Sequence, residues 1–112
     1  MGDIHSLQIY IKSKFLVTKI YLLTQENKKL SRDFSICDQI RRASVSVSCN
    51  ISEGYYRSRK QTKNYLEIAS GSANEVVTLL EIINDVYLID TKVLQEEYRY
   101  LGKQINTFAA RF

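Results

Sequence analysis

Four cations gathered within a few residues, Arg57, Arg59, Lys60 and Lys63, follow the tyrosine pair Tyr55 and Tyr56. Cations beside aromatic rings can neutralise phosphates and stack on bases, the two contacts from which RNA binding is built. The same residue types also fit a solvated turn whose tyrosines pack on the body of the protein, and the pattern alone leaves both readings open. Just upstream, Gln39, Arg42, Ser46, Asn50, Glu53 and Arg57 step 3, 4, 4, 3 and 4, the spacing of one helical face. The preferred reading of Gln39, Arg42, Ser46, Asn50 and Glu53 is a structural polar network that fixes helix register, with Glu53 paired to Arg57 or Arg42. A carboxylate inside a bundle demands such partners. A nucleic-acid or partner site is the alternative.

No arrangement for catalysis is legible. Cys49 and Glu53 fall one helical turn apart, but no histidine lies near them in sequence. A nucleophile without a base or oxyanion donors is not a catalytic site, so the chain is expected not to be an enzyme and to have no catalytic residues. Cys37 and Cys49 would lie about 18 Å apart along a shared helix, beyond the roughly 7 Å reach of a disulfide. Reduced thiols of a cytoplasmic protein are the expectation. His5 is the single histidine, too little to complete a zinc site with two cysteines. Nor is there a glycine loop to cradle a phosphate, so no metal and no cofactor is expected. "MGDIHS" and the "NIS" at Asn50 match myristoylation and glycosylation patterns that are short and common by chance. The N-terminus has no signal-peptide pattern, and no apolar run is long enough to span a membrane.

The elements that must position these residues are helices. Only four glycines and no proline interrupt 112 residues, a length suited to a single domain over residues 1–112. A first helix is predicted from Ile4 to Asn27, with Leu7, Ile11, Phe15, Thr18 and Leu22 on one stripe and Ile9, Leu16, Ile20 and Leu23 on another. That is more apolar surface than packing in a small bundle requires. "QENKKLSRD" reads as a polar, basic connection. The stretch from Ala43 to Ser52 alternates like a half-buried strand. Yet Ile36, Ile40, Ala43, Val47 and Ile51 run through it at steps of 4, 3, 4 and 4, which predicts a second helix capped by Asp33 or Ser35. A third helix should begin near Gln61 or Thr62 and end near Leu88, on a stripe that includes Tyr65, Ala69, Ala73, Val76, Leu80 and Ile83. Gly71 inside it is expected to permit close helix approach, since it costs about 1 kcal/mol relative to alanine. Asp90 is the expected cap of a fourth helix, with Leu94, Tyr98, Leu101, Ile105, Phe108 and Phe112 as its apolar face. The fold class is all-α, an antiparallel up-down-up-down four-helix bundle.

Charge is unevenly distributed over this frame. The formal net charge is +4. Residues 41–63 carry six basic side chains against Glu53, whereas residues 64–98 carry seven acids against Lys92. Such a division selects a polyanion, or it pairs one subunit with another. The turns after the first and second helices lie at opposite ends of an up-down bundle. Lys28, Lys29 and Arg32 are therefore expected to form a basic surface separate from that of Arg57 to Lys63.

"QIRRASVSVSCNISEG" (Gln39–Gly54) followed by "YLEIASGSANEV" (Tyr65–Val76) resembles the small proteins encoded within intervening sequences of bacterial 23S ribosomal RNA genes. That family is similar in turn to the accessory variability proteins of diversity-generating retroelements. The matching positions are Gln39, Arg42, Ala43, Ser46, Asn50, Ile51, Glu53, Gly54, Gly71 and Ser72, and "KIYLLT" (Lys19–Thr24) fits the end of the family's first helix. The likeness runs from about residue 15 to 108. It departs in lacking the proline common between the first two helices, and in placing Ser52 and Asn74 where alanine or another small residue is common. The resemblance implies a four-helix bundle that assembles into a ring-forming homo-oligomer, a homopentamer. With the basic cluster, it implies a bacterial, non-catalytic protein that binds structured RNA through Arg57, Arg59, Lys60, Lys63, Tyr55 and Tyr56. The alternatives are a protein-interaction scaffold or accessory subunit of a reverse transcriptase, and a purely structural oligomer whose basic and acidic segments meet between subunits.

Overall fold

In the computed structural model, residues 3, 4 and 7–112 are described; Gly2 and His5, which entered the lipidation and zinc arguments, lie outside them. The elements are α1 (Gln8–Glu26), α2 (Lys28–Ser31), α3 (Phe34–Gly54), α4 (Arg59–Tyr87) and α5 (Lys92–Ala109), with no strand among the described residues. The stretch that alternates like a strand is helical because its apolar residues also satisfy the helical period. Ile40, Ala43, Val47 and Ile51 are all buried on one face of α3.

Side-chain chemistry sets the helix ends. Asp33 caps α3 by accepting the Ile36 N–H at 3.3 Å. Ser58 and Gln61 form a reciprocal capping box that starts α4 at Arg59, slightly earlier than its apolar stripe alone indicates. At α5 the residue in the cap position is Thr91 rather than Asp90. The Thr91 hydroxyl turns inward and donates to the Leu80 carbonyl at 2.7 Å, while Asp90 accepts the Lys92 N–H at 3.0 Å. The polar connection also holds a structure of its own. Asn27 caps the single turn of α2 by accepting the Leu30 N–H at 3.0 Å, and Leu30 anchors that turn in the core.

Cross-links between helices run in opposite sequence directions, so consecutive long helices are antiparallel. Ser13 and Thr24 of α1 meet Ser48 and Arg41 of α3. Ser46 meets Ser72, and Gly54 lies against Tyr65, between α3 and α4. Arg59 meets Arg111 at one end of the α4–α5 pair and Leu80 meets Thr91 at the other. Packing is most extensive between α4 and its neighbours α3 and α5. Helix α1 closes the bundle against α3 and touches α5 more sparsely, which places α1 and α4 on opposite sides. The core is formed by Leu16, Ile20, Ile40, Val47, Leu66, Leu80, Ile83, Leu101 and Ile105, among others.

Two core details bear on stability. Tyr98 is buried, and its hydroxyl is without a hydrogen-bond partner. Burial pushes its pKa well above the ordinary value. The close helix approach assigned to Gly71 occurs instead at Gly54. A Cβ added at Gly71 would meet nothing within 4 Å, whereas one at Gly54 would sit 2.6 Å from the Tyr65 Cβ. The last turn of α3 is therefore pressed against the start of α4, and the Thr62 hydroxyl locks the contact by donating to the Gly54 carbonyl at 2.7 Å.

Candidate nucleic-acid interface

One end of the bundle gathers the start of α1, the end of α3, the start of α4 and the end of α5. Residues 55–58 turn the chain from α3 into α4 there. Tyr55 continues the apolar stripe of Val47 and Ile51 by a further step of four, and its side chain is only 5% exposed. Its ring therefore offers little free surface on which a base could stack. Tyr56, displaced by about 100° on the same turn, is 69% exposed, and its ring meets that of Tyr55 edge to face at 4.7 Å.

The cations at this end differ in how free they are. Arg57 forms an ion pair with Glu53 and also donates from Nε to the Glu53 carbonyl at 3.1 Å. Arg59 donates to the Arg111 carbonyl at 2.6 Å and lies over the Phe112 ring at 5.5 Å. Its guanidinium thus clips the end of the chain to the start of α4. Lys60 and Lys63 are exposed on the first turns of α4. That first turn carries no acidic residue. Cations at a helix N-terminus add to its positive pole rather than offset it, so the local field favours an anion. The two remaining cations of the basic segment are engaged elsewhere. Arg41 donates to the Thr24 hydroxyl at 2.9 Å and stacks on Tyr21, and Arg42 pairs with Asp38 at 2.9 Å. Lys28, Lys29 and Arg32 lie at the opposite end of the bundle, beside the Tyr87–Asp33 hydrogen bond of 2.6 Å.

The polar stripe of α3 divides into three separate groups. Ser46 shares a hydrogen bond of 2.9 Å with Ser72 on α4, and Asn50 donates to the Ser46 carbonyl and hydroxyl at 2.9 and 3.0 Å. This half-buried triad ties α3 to α4. Gln39 and Arg42 face solvent and bond locally, to Ser35 and Asp38. Glu53 binds Arg57 at the basic end.

Apart from Phe108, which belongs to the apolar face expected of the fourth helix, sequence reasoning missed the residues that α5 brings to this end. Tyr100, Lys103, Phe108 and Arg111 line a groove of about 690 Å³ against Leu7, Ile9 and Tyr55. Arg111 lies over the Phe108 ring at 5.8 Å. The steps from Tyr100 to Lys103 to Thr107 to Arg111 mark one face of the last helix, which is the signal that could have revealed them. Among the described residues no three His, Cys, Asp or Glu side chains come together to hold a metal, and no helix is long and apolar enough to cross a membrane.

A helical bundle with a basic end and a serine–asparagine seam between its central helices defines the class of this protein. The chain matches the profile of the family described as 23S rRNA-intervening sequence protein over residues 5–108, and it belongs to that family. It is also similar to the crystal structure of a protein of unknown function from the S23 ribosomal protein family of Bacteroides thetaiotaomicron. The two are 26% identical with a TM-score of 0.72, over 90% of this chain and 94% of that one. None of the curated proteins matches the chain. The family description names no catalytic activity.

Proposed function

We propose that the protein is a non-catalytic, cytoplasmic, self-associating RNA-binding protein that engages structured RNA through Arg59, Lys60 and Lys63, with Arg57 and Tyr56 at the margin. The observation that carries this reading is the run of cations on a helix N-terminus that has no acid to offset it.

Self-association is supported by two apolar faces on opposite sides of the bundle. On α1, Ile11, Phe15 and Leu22 are exposed, and Lys19 reaches over the Phe15 ring at 5.1 Å. On α4, Ile68, Ile82 and Val86 are exposed on a face that also carries Glu75. Apolar-plus-basic opposite apolar-plus-acidic favours head-to-tail contact between copies, and such contacts close into rings when the rotation permits. The number proposed is five copies, the homopentamer that the family resemblance implies. A ring repeats one modest basic patch several times and raises avidity without new contacts.

The test is anisotropy titration of structured ribosomal RNA across salt, with the wild type and with Arg59→Glu, Lys60→Glu and Lys63→Glu combined. Wild-type binding should weaken steeply as salt rises, and the triple variant should lose it while keeping its oligomeric mass. Unchanged affinity in the variant refutes the assignment. The exposed faces of α1 and α4 also favour a second reading, a scaffold or accessory subunit of a reverse transcriptase. In that case RNA binding is absent and the apolar faces hold a protein.

A further inference from the structure

We infer that the groove between the start of α1 and the end of α5 is a nucleotide subsite that takes an unstacked base with its phosphate. This inference rests on the RNA-binding reading and narrows its substrate to RNA with single-stranded loops or ends. The groove's composition carries the argument. Its lining includes the apolar side chains of Leu7, Ile9 and Phe108 and the ring of Tyr55. Tyr100, also in the lining, is 61% exposed and adds a phenol ring open to solvent. Lys103 and Arg111 supply positive charge, and no carboxylate among the described residues lines the groove. Lys103 enters no ion pair among the described residues. Gln8 and Gln104 add amides that can donate and accept hydrogen bonds. A flat body with an apolar face, polar edges and an attached anion meets each of these requirements, and a nucleotide has all of them.

The groove is continuous with the basic end of the bundle. Arg59 donates to the carbonyl of Arg111, whose own guanidinium lies over Phe108 in the groove lining. A strand whose phosphates follow Arg59, Lys60 and Lys63 would thus reach the groove by way of the Arg59–Arg111 contact. Duplex RNA keeps its bases paired and stacked, so only a loop, bulge or end can deliver a base there.

The experiment compares fluorescein-labelled oligoadenosine with a blunt RNA duplex of equal phosphate number, by anisotropy, for the wild type, Tyr100→Ala and Lys103→Gln. Both side chains are exposed, so neither substitution removes core packing. Wild-type protein should prefer the single strand. Tyr100→Ala should weaken single-strand binding about tenfold or more and leave duplex binding unchanged. Lys103→Gln should reduce the salt slope for the single strand by about one phosphate contact. Equal single-strand affinity of Tyr100→Ala and wild type overturns the subsite. If the turn variants still lose binding in that case, the RNA-binding reading survives without it. If wild type binds neither RNA, that reading fails, and adenosine monophosphate followed by amide NMR decides the groove by itself. Shifts at Lys103 and Thr107 that vanish in Tyr100→Ala support it, and their absence overturns it.

Discussion

Two glycines of the family signature, Gly54 and Gly71, should respond to alanine with opposite signs. At Gly71, an exposed position in the middle of α4, the added methyl meets nothing within 4 Å. Replacement removes the backbone-entropy penalty of glycine in a helix, a gain of about 0.5–1 kcal/mol. At Gly54 the added Cβ would sit 2.6 Å from the Tyr65 Cβ and 3.3 Å from its Cγ. The Tyr65 Cβ is fixed to the α4 backbone and has no freedom to swing aside, so the two helices must separate. Overpacking of this kind costs about 1–3 kcal/mol. Separation would also strain the Thr62–Gly54 hydrogen bond of 2.7 Å. At roughly 4 °C per kcal/mol for a chain of this size, the two variants should differ by roughly 6–16 °C in Tm. Thermal unfolding followed by circular dichroism at one fixed protein concentration measures the difference, because assembly makes Tm concentration-dependent. A Gly71→Ala variant less stable than wild type would refute the reasoning for α4, and would mean that another chain closes against that position. A Gly54→Ala variant as stable as wild type would refute the close approach itself.

Other perturbations follow from single groups. Tyr98→Phe removes a buried hydroxyl that has no partner, and should leave stability unchanged or raise it by up to about 1 kcal/mol in chemical denaturation; a clear loss would mean that the hydroxyl is bonded after all. Leu88 ends α4 at φ 56°, in the left-handed region, with its side chain exposed. Leu88→Gly should therefore stabilise by about 0.5–1 kcal/mol, and a lower Tm would show that the side chain has a contact worth more than the strain. The Tyr87 hydroxyl, followed by the Ile36 N–H, holds the Asp33 carboxyl below its ordinary 3.8, and the same hydrogen bond raises the Tyr87 phenol above 10.0. A depressed acid contributes stability above 3.8 that is lost as pH falls through its folded value, and a raised phenol contributes stability below 10.0 that is lost as pH rises through its folded value. Thermal melts across pH should show Tyr87→Phe weakening the protein most between these limits, and an equal deficit at pH 2 and pH 7 would contradict the linkage.

How much was legible in the sequence depended on whether the signal was local. The four long helices could be read because their apolar residues recur at three- and four-residue steps, and that period outweighed the alternation between Ala43 and Ser52. The turn of α2 was missed because Leu30 is a single apolar residue within "QENKKLSRD" and gives no period to detect. Asp90 was a reasonable cap from its residue type, but the inward bond of Thr91 to Leu80 depends on how α4 and α5 pack. The cation cluster from Arg57 to Lys63 was visible as composition. Its division into paired Arg57, clipped Arg59 and exposed Lys60 and Lys63 was not, because Arg111 and Phe112 come from the far end of the chain. Tyr55 and Tyr56 look alike as a pair, but adjacent residues on a helical turn point in different directions. The step from Ile51 to Tyr55 identifies the one that faces inward.

The placement of the signature residues separates two properties of the molecule. Ser46, Asn50, Ser72 and Gly54 meet at the α3–α4 seam, through the serine bridge, the asparagine bonds and the glycine contact. Their chemistry sets the distance and register of two helices, and none of them offers a charge to an RNA. Arg59, Lys60 and Lys63 lie beyond that seam, on the first turns of α4. These four signature residues therefore specify a scaffold, while the proposed RNA contact rests on the charge of the helix start. Substitutions in the two sets should be separable. Ser46→Ala with Ser72→Ala should lower stability and leave the RNA affinity of the folded protein intact, whereas Lys60→Glu with Lys63→Glu should do the reverse. Loss of RNA affinity from the serine pair, in protein that remains folded and assembled, would show that the seam transmits to the basic end and that the two properties are one.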